Sequence, residues 1–158
     1  HPCASNPAKC WSLQKYSALM EFFKDASAQV VVIGEQKEYD LISDLIDTSG
    51  CRAINAAGLF DLGQLAGLLQ AARVFVGNDS GPMHMAAVLG VPVVAIFSKH
   101  AQGSNPVRWR PWGDDHVIFH ELHGEKPCKL QHFSGYYIPK DDVSAGDVME
   151  MLKTKLAK

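Results

Sequence analysis

The chain has 158 residues, 47% apolar and 20% charged, with 15 Lys and Arg against 17 Asp and Glu for a formal charge of −2. One domain is the default at this length, about 68–70% of the unfolded surface is there to be buried, and the composition excludes a disordered chain. The near-neutral charge removes the electrostatic reason for a nucleic-acid partner, and the longest apolar run, about Val91 to Phe97, falls far short of the ~18–20 residues of a membrane span.

The predicted elements alternate along the chain. Ser12 to Asp25 carries Leu13, Tyr16, Met20 and Phe23 on one helical face. Gln29 to Ile33 is an apolar run of strand length, stopped by Gly34. Glu38 to Thr48, with Tyr39, Ile42, Leu45 and Ile46, is helical again, and Cys51 to Asn55 is a weaker strand. Asp61 to Ala72 is an amphipathic helix with Asp61 placed to cap it. Arg73 to Val76 reads as a strand, Pro82 to Leu89 as a helix closed by a left-handed Gly90, and Val91 to Phe97 as a buried strand. His116 to His120 is a fifth strand, and Ser144 to Leu156 a last helix with Ser144 and Asp147 spaced as a capping box. Strands apolar on both faces and separated by helices predict an α/β fold, a parallel sheet covered by helices on both sides. Ser98 to Asp115 and Glu121 to Asp142 break the alternation and read as long loops.

The most informative stretch is Val74-Phe75-Val76-Gly77-Asn78-Asp79-Ser80-Gly81-Pro82-Met83-His84, a strand, a tight polar turn and a helix start. Pro82 suits the first helical position. The amides near Ser80, Gly81 and Met83 would then open at the carboxyl edge of the sheet, where a positive helix end attracts phosphate. Asp79 would repel a bare pyrophosphate, so its carboxylate is better used on sugar hydroxyls or in bracing the turn. A ligand with both diphosphate and polyol would use the whole loop. The alternative is an Asx-type structural turn, since the pattern matches neither a Walker loop nor G-x-G-x-x-G. His84 either reaches the same ligand or packs beside Met83, Met85 and Ala86. Before the first helix, Lys9 offers a cation for a leaving diphosphate, or is an ordinary surface lysine.

Other groups carry weaker signals. Cys3, Cys10, Cys51 and Cys128 form no C-x-x-C pair and read as free thiols. His116, His120, His123, Cys128 and His132 form a loose cluster whose spacings match no closed zinc pattern; polar loop residues are the preferred reading over a metal site. Trp109 and Trp112, with Arg108 and Arg110, either stack on a sugar or base or pack a long loop.

Three segments carry a family resemblance: His1-Pro2-x-Ala4-Ser5-x-Pro7-Ala8-Lys9-x-Trp11, then Gly77-Asn78-Asp79-Ser80-Gly81-Pro82-Met83-His84-x-Ala86-Ala87-x-Leu89-Gly90-Val91-Pro92, then Arg108-Trp109-x-Pro111-Trp112-Gly113. In these the chain resembles bacterial glycosyltransferase family 9, the ADP-heptose:lipopolysaccharide heptosyltransferases. It departs from the family's usual Gly at Cys3, from a frequent Arg at Cys10 and from a common Gly at Ser98. The resemblance implies the C-terminal half of a GT-B fold, with residues 1–158 forming a single nucleotide-sugar-binding domain. The N-terminal acceptor domain and a first central strand would lie ahead of His1, in a longer polypeptide. It implies inverting transfer without metal or cofactor, the ADP-sugar being a substrate, to a lipid-linked saccharide held by the other domain, which also supplies the general base. By the same resemblance Lys9 contacts donor phosphates and Glu38 holds the adenosine ribose. Phe60 lies against adenine, and Asp79, Ser80, Gly81, Met83 and His84 form the donor-sugar and diphosphate loop. A cytoplasmic location, peripheral at the inner membrane face, is the matching expectation. The alternatives are a GT-B transferase for a UDP- or GDP-sugar and a non-catalytic binding domain.

Overall fold

The computed structural model describes residues 1–98, 105–122 and 124–157. His123 of the histidine cluster and residues 99–104 of the long loop after Ser98 lie outside the described residues. The elements follow the predicted alternation: α1 (Leu13–Glu21), β1 (Val30–Val32), α2 (Tyr39–Ser49), β2 (Ala53–Asn55), α3 (Leu62–Ala71), β3 (Phe75–Asn78), α4 (Gly81–Val88), β4 (Val93–Phe97), a short α5 (Pro106–Trp109), β5 (Val117–Glu121), β6 (Tyr136–Lys140) and α6 (Ala145–Leu156). Single 3₁₀ turns precede α1 and α2, at Pro7–Lys9 and Gln36–Glu38.

Local chemistry accounts for the helix ends. Asp61 accepts from Gln64 N while the Gln64 side chain reaches back to Asp61 N, a reciprocal cap that satisfies two orphan donors. Ser144 and Asp147 do the same for α6. Gly90 ends the α4 segment at φ 79°, a left-handed conformation that costs glycine little.

All strands run parallel, in two sheets. β1 pairs with β2, and β3, β4, β5 and β6 form the second sheet in that order. β4 and β5 are buried at every position, and the sheet divides the core in two. One cluster packs Val94, Ile96 and Phe119 against α1, α2 and α6. The other packs Ala95, Phe97 and Ile118 against α3 and α4. This is the predicted doubly covered parallel architecture.

Three readings of the sequence are corrected. Gly77 and Asn78 belong to β3 rather than to the polar turn, because pairing with Ala95 and Ile96 keeps them extended. Pro82 is the second helical residue, since α4 begins at Gly81. Glu121 to Asp142 is not all loop: β6 pairs with β5 from Val117–Tyr136 to Glu121–Lys140. β6 has a single neighbour, so Pro139, which cannot donate to a ladder, is tolerated there.

β1 and β3 each have one partner, and between the two sheets runs an apolar groove of about 760 Å³. Val31 and Val76 line it from the strands, Leu19 from α1, Phe23 from the turn that follows α1, Leu69 from α3 and Leu152 from α6. At its end the amino group of His1 donates to the Val76 carbonyl at 2.8 Å. No helix among the described residues is long and apolar enough to cross a membrane.

Candidate functional site

The carboxyl end of β3 is tied to the opening loop by one buried side chain. Asn78 Oδ1 accepts from Trp11 N at 2.9 Å and from the Tyr16 hydroxyl at 3.1 Å. Its Nδ2 donates to the Pro2 carbonyl at 2.9 Å. Trp11, 1% exposed, anchors the other end by donating Nε1–H to Val143 O. Gly77 is required here: a Cβ would lie 2.8 Å from the Phe75 ring and 3.1 Å from His1 O. Two loops distant in sequence are thereby fixed against each other, and they carry the polar groups of the site.

Asp79 follows, 3% exposed, and Lys9 Nζ donates to its Oδ2 at 2.7 Å. His84 Nε2, one turn into α4, lies 3.6 Å from Oδ1. The Lys9 ammonium offsets the charge that would otherwise repel a phosphate, and the carboxylate stays fixed for hydroxyl donors. Ser80, in extended backbone, precedes α4 without capping it; its hydroxyl meets His1 Nδ1 at 3.2 Å. The first turn of α4 carries no acidic residue. It therefore presents main-chain donors and a positive dipole end to the adjacent space.

That space is a cavity of about 510 Å³. Ser80, Gly81 and Pro82 line it together with Glu38, Phe60 and Leu65. Glu38 closes the 3₁₀ turn, and its Oε2 accepts from Glu35 N at 2.7 Å. Phe60 is 40% exposed, a large ring left partly in water beside the cavity. Gly58 is needed beside it: at φ 72° a Cβ would come within 2.8 Å of the Gln36 main chain. Its amide donates to Gly34 O at 2.9 Å, holding the loops after β1 and β2 together.

Of the residues singled out in the sequence, Glu38, Phe60, Ser80 and Gly81 line this cavity, and Lys9, Asp79 and His84 cluster at the end of β3. Met83 is the exception in kind. Its side chain is fully buried against Ala95 and its neighbours, so what it can offer a ligand is the main-chain amide of the first helical turn. Sequence reading missed His1 and Gln36 as lining residues, and missed Asn78 as the clamp. The hydrogen bonds of Asn78 span 62 to 76 residues of chain, a separation that leaves no local pattern.

The other candidates have other partners. His116 accepts from Val93 N on Nδ1 and donates Nε2–H to Trp112 O, so both ring nitrogens are used and the neutral tautomer is fixed. His120 Nδ1 meets the Tyr137 hydroxyl at 2.9 Å, which also lies 3.0 Å from Cys128 Sγ. No three His, Cys, Asp or Glu among the described residues form a metal-binding group. All four cysteines are free. Burial, with Glu38 nearby, pushes the Cys3 thiol up to about 12, and burial raises Cys10 as well, so neither is an activated nucleophile. Trp109 stands beside the cluster, its ring centroid 6.0 Å from Lys9 Nζ and 6.3 Å from the His84 ring, while Trp112 is 78% exposed.

Residues 1–134 match the family model of glycosyltransferase family 9 (heptosyltransferase). Lipopolysaccharide heptosyltransferase 2 of Escherichia coli K12 is 33% identical over 157 residues, which are 95% of this chain and 43% of that protein. Lipopolysaccharide heptosyltransferase 3 of Escherichia coli is 29% identical over 121 residues, 75% of this chain and 34% of the relative. The structure of E. coli ADP-heptose lps heptosyltransferase II superposes with a TM-score of 0.74 at 27% identity, covering 99% of this chain and 45% of that one. A glycosyl transferase family 9 structure from Veillonella parvula shares the fold, with a TM-score of 0.80 at 21% identity over 99% of this chain and 44% of that one. The chain thus spans less than half the length of these relatives. With 134 of its 158 residues under the family model and its fold shared throughout, the chain belongs to glycosyltransferase family 9.

Proposed function

We propose that the chain is the donor-binding part of a transferase that moves heptose or a related sugar from an ADP-sugar to a lipopolysaccharide-type acceptor, with inversion and without metal. One observation carries this: a helix start free of acidic residues and the Lys9–Asp79–His84 cluster adjoin a cavity lined by Glu38 and Phe60. The cavity gives a nucleoside an aromatic ring and a carboxylate for its ribose hydroxyls. The first turn of α4 gives the diphosphate main-chain donors, and Asp79 gives the sugar a fixed acceptor. The similar E. coli ADP-heptose lps heptosyltransferase II supports the choice of nucleotide and sugar.

In the reaction an acceptor hydroxyl forms a bond to the anomeric carbon as the bond to the diphosphate oxygen breaks. The pair of electrons leaves with ADP, and the hydroxyl proton passes to a general base on the other domain. This chain acts on the leaving group. Lys9 and the amides of Ser80, Gly81 and Met83 stabilise the charge that grows on the diphosphate, where fixed donors act most strongly. The groove between β1 and β3 is part of the same proposal. Two parallel strand edges with an apolar floor suit one further parallel strand, and the His1–Val76 bond sets where it ends. The acceptor's lipid places the whole enzyme at a membrane surface in the cytoplasm.

Calorimetry on the full-length protein tests the reading. ADP is expected to bind without added metal and more tightly than UDP or GDP. Lys9→Ala and Ser80→Pro are expected to weaken it, the second by breaking the helix start. A folded full-length protein that binds no nucleotide overturns the reading. Preference for UDP or GDP redirects it to another donor.

A further inference from the structure

Trp109 is a large aromatic left 39% exposed, although the core is otherwise well filled with rings. It ends α5, whose own placement is firm: Pro106 is buried, Asn105 Oδ1 accepts from Val107 N at 2.7 Å, and Arg110 N donates to Pro106 O at 3.1 Å. The ring is therefore held at the site by its helix. Three basic side chains stand beside it: Lys9 Nζ at 6.0 Å from the centroid, the Arg108 guanidinium at 5.1 Å, and the His84 ring edge-on at 6.3 Å. A π face attracts such groups through its quadrupole.

The same Lys9 and His84 meet Asp79 on their other side, at 2.7 Å and 3.6 Å. Lysine has a flexible four-carbon stem, and one ion pair leaves it several rotamers. Two contacts from different elements leave it far fewer. We propose that Trp109 is a positioning residue of the transfer site, its indole ring holding the Lys9 ammonium and the His84 imidazole in place around Asp79. This rests on the transferase reading above. Trp109 acts through Lys9 and His84, so its removal lowers the rate of transfer more than it lowers ADP affinity.

The test is a kinetic double-mutant cycle on the full-length enzyme, with ADP affinity measured alongside. W109L keeps apolar bulk and removes the π face; W109F keeps a π face. W109L is expected to lower kcat about three- to tenfold, the range of a partly exposed cation–π contact, with KM for the ADP-sugar and Kd for ADP changed less than about twofold. W109F is expected to recover kcat to within about twofold of wild type. In a Lys9→Ala background, W109L is expected to cost clearly less than in the wild type, because one of the two groups it positions is gone and only His84 remains. An equal loss in both backgrounds, a W109F enzyme as slow as W109L, or a W109L enzyme as fast as wild type overturns the proposal alone. A wild-type protein that binds no ADP and transfers nothing overturns the transferase reading and this inference with it.

Discussion

The two sheets are built to different standards. The β3–β6 sheet has two central strands buried at every position, with Phe97, Phe119, Ile96 and Ile118 at or near zero exposure. The β1–β2 sheet has strands of three residues, one buried position between them, and Ile54 half in water. The heavy sheet delivers Asp79, Ser80 and α4; the light one delivers Glu38 and the Gly34–Gly58 loop pair. Groups assigned to the leaving diphosphate thus stand on the rigid part, where charge stabilisation needs fixed donors. Groups assigned to the nucleoside stand on the part with less packing to hold it, where local opening costs least.

Substitutions in each sheet break this comparison or sharpen it. Phe119→Ala opens a cavity in the heavy sheet and is expected to cost about 3–5 kcal/mol by denaturant unfolding of the full-length protein. An effect below about 1 kcal/mol would erase the distinction between the sheets. Asn78→Ala comes next, at about 2–3 kcal/mol, because it leaves the buried Trp11 amide and Pro2 carbonyl without their partner. ADP affinity is expected to fall with it, since the loop bearing Lys9 is released.

The pH dependence has a defined sign. Burial holds the His116 imidazole below its ordinary pKa, and the Lys155 ammonium adds to this. The Trp112 carbonyl and the Asp115 and Asp114 carboxylates oppose it. Burial lowers His120 in the same way. The folded state therefore binds fewer protons than the unfolded one, and stability is full above the ordinary histidine pKa of about 6.5 and lost as pH falls below it. The urea midpoint is expected to drop between pH 7 and pH 5, and His116→Gln to flatten that drop. The smallest effect belongs to the light sheet: Ile54→Ala is expected to change stability by less than about 1 kcal/mol.

Much of this was legible in the residues. Asp61, Ser144 with Asp147, and Gly90 mark helix ends through contacts within four residues, and sequence spacing records such contacts directly. The apolar runs at Val30–Val32 and Val93–Phe97 mark β1 and β4, since a strand covered on both faces reads as a continuous apolar run. β6 escaped because Tyr136–Lys140 lies at an edge, holds a proline and is buried at none of its positions, so it has no apolar alternation to show. The carboxylate, hydroxyl and glycine of the 79–81 turn were readable from their order along the chain. Asn78's role was not. It depends on Pro2, Trp11 and Tyr16 arriving from 62 or more residues away. Trp109 was open between stacking and packing until the fold set it beside Lys9.

One amide side chain thus serves as a keystone for three segments of chain. Anyone grafting the 78–84 turn onto another scaffold must carry Trp11 and Tyr16 along with it, or the transplanted asparagine will bury its own polar atoms with nothing to meet them. The turn and the first helix are, in engineering terms, a single indivisible cartridge.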